Sequence, residues 1–106
     1  MNGQGTTTVS VVMPVYNAAA TLAQAMQSVL GQTHRAVELV VVDDGSRDGS
    51  SAVIDAFAAA DPRVVTVRLA GNSGVAAARN AGIDAATGDC MAFLDSDDWW
   101  HPRKLA

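Results

Sequence analysis

Three carboxylates, those of Asp95, Asp97 and Asp98, fall within four residues directly after the apolar segment 90–94. Carboxylates this close repel one another, and their burial is costly unless a cation neutralises them. Because the ligands on offer are all oxygens, Mg²⁺ or Mn²⁺ suits them better than zinc, which usually recruits His or Cys as well. The alternative is a solvated acidic turn that caps a following helix. The segment therefore predicts a divalent-metal site, with a plain turn as the competing interpretation.

Polar or conformationally special segments also follow the other apolar runs, at residues 14–17, 43–46 and 71–74. Six of the eleven acidic residues of the chain lie in two short stretches, 43–48 and 95–98. Acidic side chains that only solvate a surface would be spread along the sequence. Their concentration after two apolar runs indicates a site.

The segment 14–17 carries groups that suit a nucleotide. Tyr16 offers a ring that could stack on a base, and Asn17 can form a hydrogen bond beside it, while Pro14 removes a backbone donor at a strand end. An ordinary strand terminus is the alternative, because Pro and Asn are both common in turns.

Asp43 and Asp44 place two carboxylates after a buried strand. One of them can accept the N–H edge of a uracil or a ribose hydroxyl. A helix-capping role for one of them is the alternative, since Asp and the nearby Ser46 both belong to residue types that cap helices. The two roles can coexist on different residues.

The segment 71–74 resembles a phosphate-cradling turn before a helix N-terminus, although Gly and Asn also form simple turns. Arg79 follows about one and a half helical turns later, among alanines, and we expect it to reach back to the base or the diphosphate. An exposed surface arginine is the alternative. Trp99, Trp100 and His101 are predicted to pack at the edge of the domain, with His101 only a secondary ligand candidate.

Length and composition limit the class of protein. The 106 residues suffice for one domain, and a chain that is 49% hydrophobic and 17% charged, with a mean hydropathy of +0.16, is expected to fold. A net charge of −4 and a pI of about 4.7 argue against a nucleic-acid partner, which would need a basic stripe. Cys90 stands alone, which excludes an intrachain disulfide, and is predicted to fill the core.

Residues 1–7 are polar and rich in Gly and Thr, and they are predicted to be a disordered leader before a single domain at 8–106. The N-terminus has no signal-peptide pattern, and no apolar run approaches the roughly 20 residues that span a bilayer. A cytoplasmic location is therefore expected. If the chain is part of a longer protein, that protein could lie at the cytoplasmic face of a membrane.

Four apolar runs predict strands at residues 9–13, 37–42, 64–69 and 90–94. The runs are nearly continuous, which is typical of parallel strands that are buried on both faces. Apolar residues with a helical period fill the gaps between them, and the third predicted helix spans about 74–86 with Ser73 as its N-cap.

The order β-α-β-α-β-α-β with right-handed crossovers predicts an α/β fold, a Rossmann-like doubly wound and mostly parallel sheet. We expect the strand order 3-2-1-4, which puts a topological switch point beside the first strand. Ligands of such folds bind outside the carboxyl ends of the strands, so the four polar segments should converge.

In this order, the motifs resemble the donor-binding half of family 2 glycosyltransferases with the GT-A fold. The resemblance runs from Val9 to Leu105 and rests on VSVVMPVYN at 9–17, ELVVVDDGS at 38–46, NSGVAAARNAG at 72–82 and FLDSDD at 93–98. It implies transfer of a sugar from a nucleotide-diphosphate sugar, most commonly UDP-linked, with inversion at the anomeric centre.

The resemblance also implies roles for individual residues. Pro14 and Tyr16 would line the nucleotide with Asn17 beside them, Asp44 would hydrogen-bond the base, and Arg79 would contact the base or the adjacent phosphate.

Asp95, Ser96 and Asp97 resemble the DxD motif of the family. Asp97, helped by Asp95 or Asp98, would hold Mn²⁺ or Mg²⁺ against the donor diphosphate, and the remaining carboxylate, with Asp95 as the candidate, would contact the ribose.

The sequence departs from the family pattern where it ends, at Ala106, because no carboxylate follows Asp98 to act as the general base. The resemblance implies that this base comes from later in the chain, so we expect it beyond Ala106. The acceptor-binding half is expected to be absent, and the chain to bind nucleotide and metal weakly with little or no turnover. The acceptor, whether saccharide, lipid, protein or polymer, is left open, and self-association through apolar surface is expected.

A nucleotide- and metal-binding fragment or regulatory module without transferase activity is the main alternative. A receiver-like phosphoacceptor domain fits less well, since the acidic pairs follow the second and fourth strands and the only lysine is Lys104. A dinucleotide dehydrogenase would need a Gly-x-Gly-x-x-Gly turn after the first strand, and there is none.

Overall fold

A four-stranded parallel sheet contains the apolar runs of the chain. The computed structural model describes residues 7–34, 36–71 and 73–98. Its elements are β1 (Val9–Val15), α1 (Ala19–Leu30), β2 (Val37–Asp43), α2 (Ser50–Ala60), β3 (Val64–Arg68), α3 (Val75–Ala85) and β4 (Cys90–Phe93).

Some of the predictions concern residues outside these ranges. Residues 1–6 of the predicted leader, Asn72, and the cluster of Trp99, Trp100 and His101 lie outside the described residues, as does the end of the predicted domain at Ala106. The predicted domain boundaries and the packing of that cluster therefore stay predictions.

The strand order is β3-β2-β1-β4, with every neighbouring pair parallel. This confirms the doubly wound α/β prediction and the predicted strand order. β1 and β2 are central and pair over seven residues, from Val9 opposite Val37 to Val15 opposite Asp43. Their carboxyl ends therefore lie side by side, which brings the residues after each strand to the same edge.

Successive residues of the central strands pack on opposite faces of the sheet, because side chains alternate along a strand. On one face Val11 and Met13 belong to an apolar cluster with α1 and α2, while on the other Val12 belongs to a smaller cluster with Ala78 of α3. Both faces of β1 and β2 are thus buried, as nearly continuous apolar runs predict.

Pro14 lies inside β1, which extends two residues beyond the predicted strand end. The peptide groups of Val9 and Val15 bond toward β2, whereas the carbonyl of Val12 accepts from Leu94 on the β4 side. Pro14 shares the alternation of Val12, so its missing N–H points to the β4 side, where pairing stops at Val12 opposite Phe93. The proline therefore ends the β1–β4 ladder, because the next hydrogen bond after that from Leu94 to Val12 would need an N–H at position 14.

β4 is exposed, and the prediction that Cys90 fills the core is wrong. Within the described residues β4 pairs only with β1, over four residues, and Cys90, Met91 and Phe93 are all exposed. A short apolar run has the same composition at the edge of a sheet as at its centre, so the sequence does not separate the two positions.

Glu38 joins three elements at the amino end of the sheet. Its Oε1 accepts hydrogen bonds from Ser10 Oγ and from the N–H of Thr87, both at 2.9 Å, and its Oε2 accepts from Thr87 Oγ1 at 2.8 Å. Burial raises the pKa of Glu38, but the hydrogen bonds from Thr87 and Ser10 outweigh it, and the pKa lies below its ordinary value of 4.5. The carboxylate is therefore stabilised in its charged form by the folded state.

Gly82 allows α3 to approach the sheet closely. A Cβ at this position would collide with Cγ1 of Val12 and lie 3.1 Å from Cγ2 of Val42. Both valines are β-branched and stiff about χ1, so neither can rotate away easily.

Among the helices of the described residues, none is long and apolar enough to cross a membrane.

We expect Gly82→Ala to lower the free energy of unfolding by about 1–2 kcal/mol, because overpacking exceeds the gain in helix propensity. Urea titration at pH 7 measures this. Gly49→Ala is the matched control, because its Cβ would meet only Ala19 Cβ at 3.8 Å, and it should stay within about 1 kcal/mol of the parent. Equal effects of the two variants would contradict the close-packing argument.

Glu38→Gln should lower the free energy of unfolding at pH 7 by about 1–2 kcal/mol, because hydrogen bonds to a charged acceptor are lost. The folded pKa of Glu38 is depressed, so this contribution is complete above the ordinary value of 4.5 and disappears as the pH falls through the folded pKa. The gap between the parent and the variant should therefore narrow on acidification, which urea titrations at pH 7 and pH 3 would show. The exposed Asp84→Asn is the control at pH 7 for the loss of one surface charge, and a gap for Glu38→Gln that is as large at pH 3 as at pH 7 would refute the assignment.

Candidate active site

A cleft of about 620 Å³ lies at the carboxyl ends of the strands, beside the first turns of α1 and α3. All four polar segments picked out in the sequence contribute to its wall, so the predicted convergence is observed. The lining residues are Pro14, Val15, Tyr16, Asn17, Ala18, Ala20, Thr21, Asp44, Gly74, Val75, Ala78, Arg79, Asp95, Ser96 and Asp97.

Nearly all of the predicted site residues line this cleft. Those brought together are Pro14, Tyr16, Asn17, Asp44, Arg79, Asp95 and Asp97. Asp98 is not among the lining residues; its N–H donates to the carbonyl of Asp95 at 3.0 Å and closes a four-residue turn.

Asp43 serves the backbone and not the cleft. Its Oδ1 accepts from the N–H of Ser46 at 2.9 Å, and its Oδ2 accepts from Ser51 Oγ in the first turn of α2 at 2.7 Å. Burial raises the pKa of Asp43, but these hydrogen bonds and the charge of Arg68 lower it by more, so the pKa lies below its ordinary value. Asp43 therefore holds the loop after β2 and the Ser51 side chain, and neither of these two bonds comes from a helix N–H, so they do not make it a helix cap.

Asp44 is buried and holds the start of α3. Its Oδ1 accepts from the N–H of Ser73, and its Oδ2 from the N–H groups of Ser73 and Gly74, all at 3.1 Å. The prediction that Ser73 is the N-cap of α3 is wrong. The N-cap is Gly74, and the N-cap position supplies no side-chain hydrogen bond to the helix. A carboxylate has about four acceptor sites, so Asp44 retains capacity for a ligand N–H in the cleft.

Gly74 adopts φ +91°, a conformation that residues with a side chain rarely adopt. Nothing lies within 4 Å of where its Cβ would be, so the backbone conformation and not the space requires glycine here. Gly74 thus combines a backbone conformation that favours glycine with an N–H bonded by Asp44 and a place in the wall of the cleft.

Asn17 ties the loop after β1, residues 16–18 (the first loop), to the segment that runs from the end of β2 into the first residue of α2, residues 44–50 (the second loop). Its Oδ1 accepts from the N–H of Arg47 at 2.7 Å, its own N–H donates to Ser46 Oγ at 2.9 Å, and its φ is +49°. The neighbouring Tyr16 is 50% exposed and presents its ring at the cleft. Asn17 thus shapes the wall, and Tyr16 is the residue of this loop with the larger surface for a ligand.

Arg79 bridges α3 and the acidic segment. Its guanidinium lies 3.5 Å from Asp95 Oδ1 and 5.9 Å from the ring centre of Phe93. Both members of the ion pair are well exposed, at 44% and 63%, so the pair contributes little to stability and can exchange for other partners. Arg79 is therefore exposed, as the alternative interpretation expected, and it also lies at the cleft, as the site prediction expected.

The first turn of α1 is fixed from the second loop. The N–H of Ala18 donates to Ser50 Oγ and that of Ala19 to Asp48 Oδ2, both at 3.0 Å. Hydrogen bonds from Ser50 and Ala19 hold the pKa of Asp48 below its ordinary value. The loop that carries Asp44 therefore also sets the position of α1 at the cleft.

Thr21 is a cleft residue that sequence reasoning did not select. It lies in the first turn of α1, and its Oγ1 donates to the carbonyl of Ser96, 75 residues later, at 2.9 Å. A threonine near a helix start has several local uses, and only the packing of α1 against the acidic segment reveals this one.

The chemistry of the acidic segment fits a magnesium-like cation that is completed by a ligand. Asp95 and Asp97 both line the cleft, and no interaction of the Asp97 carboxylate is found in the described part of the chain. The described residues contain no group of three or more side chains that could enclose a metal alone. Mg²⁺ typically uses one or two carboxylates together with waters and substrate phosphates, so two carboxylates at an open cleft suffice.

Comparison with known proteins places the chain. Residues 10–106 match the Glycosyl transferase family 2. The chain is 43% identical over 97 residues to the putative teichuronic acid biosynthesis glycosyltransferase TuaG of Bacillus subtilis (strain 168), a match that covers 92% of this chain and 38% of TuaG.

Two solved structures share the fold. S. aureus TarS 1-349 in complex with UDP superposes with a TM-score of 0.84 at 29% identity, over 92% of this chain and 30% of TarS. Mannosyltransferase PcManGT from Pyrobaculum calidifontis in complex with GDP-Man and Mn²⁺ gives 0.83 at 28% identity, over 91% and 29%. The chain thus spans well under half the length of these relatives.

The relatives and the structural neighbours are GT-A glycosyltransferases, which confirms the resemblance drawn from the four sequence segments and points to an enzyme. The match covers every strand and helix of the described residues except the first residue of β1, and all the described residues that line the cleft. The chain therefore belongs to glycosyl transferase family 2.

Proposed function

We propose that the cleft binds the nucleotide diphosphate of a nucleotide-sugar donor, with a UDP-sugar as the first candidate, and that the protein transfers the sugar with inversion. The observation behind the proposal is the convergence of Tyr16, Asp44 and Arg79 with the carboxylates of Asp95 and Asp97 in one cleft. The structures of TarS with UDP and of PcManGT with GDP-Man and Mn²⁺ support a nucleotide-sugar donor for a chain of this fold.

The base and the phosphates would meet different walls. Asp44 has acceptor capacity for an N–H of the base, and the half-exposed ring of Tyr16 offers a stacking surface. Arg79 is a cation at the same cleft whose ion pair with Asp95 is exposed enough to exchange for a phosphate or a base oxygen. Pro14 and Asn17 would shape the wall between these groups.

Asp97 and Asp95 are the residues that would hold Mn²⁺ or Mg²⁺. The bound cation would stabilise, as a Lewis acid, the negative charge that develops on the departing diphosphate. Asp98 becomes a weaker candidate than its sequence position suggested, because it does not line the cleft. Asp95 could turn to the ribose when Asp97 holds the cation.

The charge of the site gives an independent reason for a cation. The two cleft carboxylates of Asp95 and Asp97 would lie beside a diphosphate that is itself anionic, in a chain of net charge −4. Among the described residues that line the cleft, Arg79 is the only one with a cationic side chain. A divalent cation would convert this repulsion into attraction.

The general base that takes the acceptor proton is not assigned to any described residue. The family 2 relatives are much longer than this chain, which covers 38% of TuaG and 30% of TarS. These lengths support the expectation that the base lies beyond Ala106, in a segment of the whole protein that follows the donor site. The expectation stays a prediction, since the structure describes no residue after Asp98.

The acceptor would be a saccharide, lipid or polymer; the relative TuaG is named a putative teichuronic acid biosynthesis glycosyltransferase. The alternative, a nucleotide- and metal-binding module that transfers no sugar, shares the cleft and differs only in turnover.

A cytoplasmic location and self-association through the exposed Met91 and Phe93 of β4 stay proposals.

UDP should bind to the protein more tightly with Mn²⁺ than with EDTA. Asp97→Asn should reduce this Mn²⁺-dependent gain in affinity by more than about tenfold, because the loss of a residue that only supports a metal ligand already lowers metal affinity about tenfold. Calorimetric titration of UDP under both conditions measures this. Asp84→Asn, an exposed carboxylate on α3 away from the cleft, is the charge-matched control and should behave as the parent. Mn²⁺-dependent binding that survives Asp97→Asn would refute the metal assignment, and the absence of any UDP, GDP or dTDP binding by the folded protein would refute the donor site.

Arg79→Ala should weaken UDP binding about tenfold with Mn²⁺ and with EDTA alike, because a charge-assisted contact to the nucleotide is lost. The melting temperature should change little, since the Arg79–Asp95 pair is exposed. Arg68→Ala provides the control, because Arg68 is an exposed arginine at the end of β3 that pairs with Asp55 outside the cleft. An effect of Arg79→Ala confined to the Mn²⁺ condition would show that it acts only through the acidic segment.

A further inference from the structure

We infer that Thr21 is a positioning residue for the metal-holding turn, because its hydroxyl fixes the peptide that immediately precedes Asp97. The inference rests on the proposed function, in which Asp97 and Asp95 hold a divalent cation. It adds a residue of α1 to a site whose ligands all come from the segment after β4.

The turn has one peptide group that decides where Asp97 points. The hydrogen bond from the N–H of Asp98 to the carbonyl of Asp95, at 3.0 Å, makes residues 95–98 a β-turn with Ser96 and Asp97 as its central residues. The central peptide of this turn consists of the carbonyl of Ser96 and the N–H of Asp97.

A β-turn can place its central peptide in either of two opposite orientations, since type I and type II turns differ by a rotation of about 180° of that group. Type II requires a positive φ at the third residue, which is Asp97 here. Asn17 is the only non-glycine residue with a positive φ in the described ranges, so the turn is not of type II. The carbonyl of Ser96 therefore has a defined direction.

Thr21 bonds that carbonyl directly. Its Oγ1 lies 2.9 Å from the oxygen of Ser96 and 3.4 Å from the oxygen of Ala18, and a hydroxyl has one proton to donate. The shorter distance is the good hydrogen bond, whereas the local contact within the helix is at the limit of hydrogen-bond distance. The usual back-bond of a helical threonine is thus given up for a contact with the acidic turn.

The anchor itself is held firmly. Thr21 follows Ala18 and Ala19, whose N–H groups are bonded by Ser50 and Asp48 at 3.0 Å. The carbonyl of Ser96 is therefore tied to a helix end that has been fixed by the second loop. Loss of the Thr21 hydroxyl would free the central peptide to rotate and would spread the carboxylate of Asp97 over more orientations.

The test compares Thr21→Val, which keeps the shape and removes the hydroxyl, with Thr21→Ser, which keeps the hydroxyl. Mn²⁺ affinity at saturating UDP, read from the loss of the free Mn²⁺ signal in electron paramagnetic resonance, should fall about tenfold in Thr21→Val and recover in Thr21→Ser. UDP binding in EDTA, followed by ligand-observed NMR that detects millimolar affinities, should stay at the parental level in both. Ser28→Ala, which removes an α1 hydroxyl that bonds the carbonyl of Ala25 in its own helix, should leave both affinities at the parental level.

Two outcomes would overturn the inference while the proposed function stands: parental Mn²⁺ affinity in Thr21→Val, or an equal fall of UDP affinity in EDTA and of Mn²⁺ affinity, which would indicate a general structural defect. Failure of Thr21→Ser to recover would have the same meaning. If the unaltered protein binds no Mn²⁺ in the presence of UDP, the proposed metal site is wrong and the inference falls with it. Melting temperatures of all four proteins identify any variant that fails to fold.

Discussion

The seven-residue parallel pairing of β1 with β2 is the constraint on which the cleft depends. Because the pair is in register from Val9 opposite Val37 to Val15 opposite Asp43, both strands end at the same level, and the loops that follow them meet. The N–H of Asp44 continues the ladder by donating to the carbonyl of Val15 at 2.9 Å, so the buried carboxylate begins where the sheet stops. A slip of one residue would turn every side chain of β2 to the other face and move Asp44 out of place.

Asp44 connects the end of β2 to the start of α3. Its carboxylate holds the N–H groups of Ser73 and Gly74, and α3 in turn brings Arg79 to the cleft. Close packing of the same helix depends on the missing side chain at Gly82, which lets α3 lie on Val12 and Val42. One face of the cleft is therefore set by a hydrogen bond at the end of the helix and by steric contact in its middle.

The regular part of this structure could be predicted from the sequence, because continuous apolar runs, helical periods and the crossover rule act locally or through topology. Convergence of the four polar segments followed from the same argument. The different roles of Asp43 and Asp44 could not be predicted, because they are the same residue type at adjacent positions. Asp43 accepts a hydrogen bond from Ser51 of α2, whereas Asp44 accepts from the N–H of Ser73 just before α3. The exposure of Cys90 and the contact of Thr21 with Ser96 also depend on which elements lie next to each other, and a single sequence does not contain that information.

Two of the helices, α1 and α3, begin without local capping side chains, whereas the first N–H of α2 is bonded by the nearby Asp48. The N–H groups of Ala18 and Ala19 at the start of α1 are bonded from about thirty residues downstream, and those before α3 from about thirty residues upstream. Peptides that contain α1 or α3 alone would lack these partners and would be weakly helical in water. The starts of α1 and α3, and with them two walls of the cleft, therefore depend on contacts between residues that are distant in the sequence, and such contacts cost more loop-closure entropy than local ones.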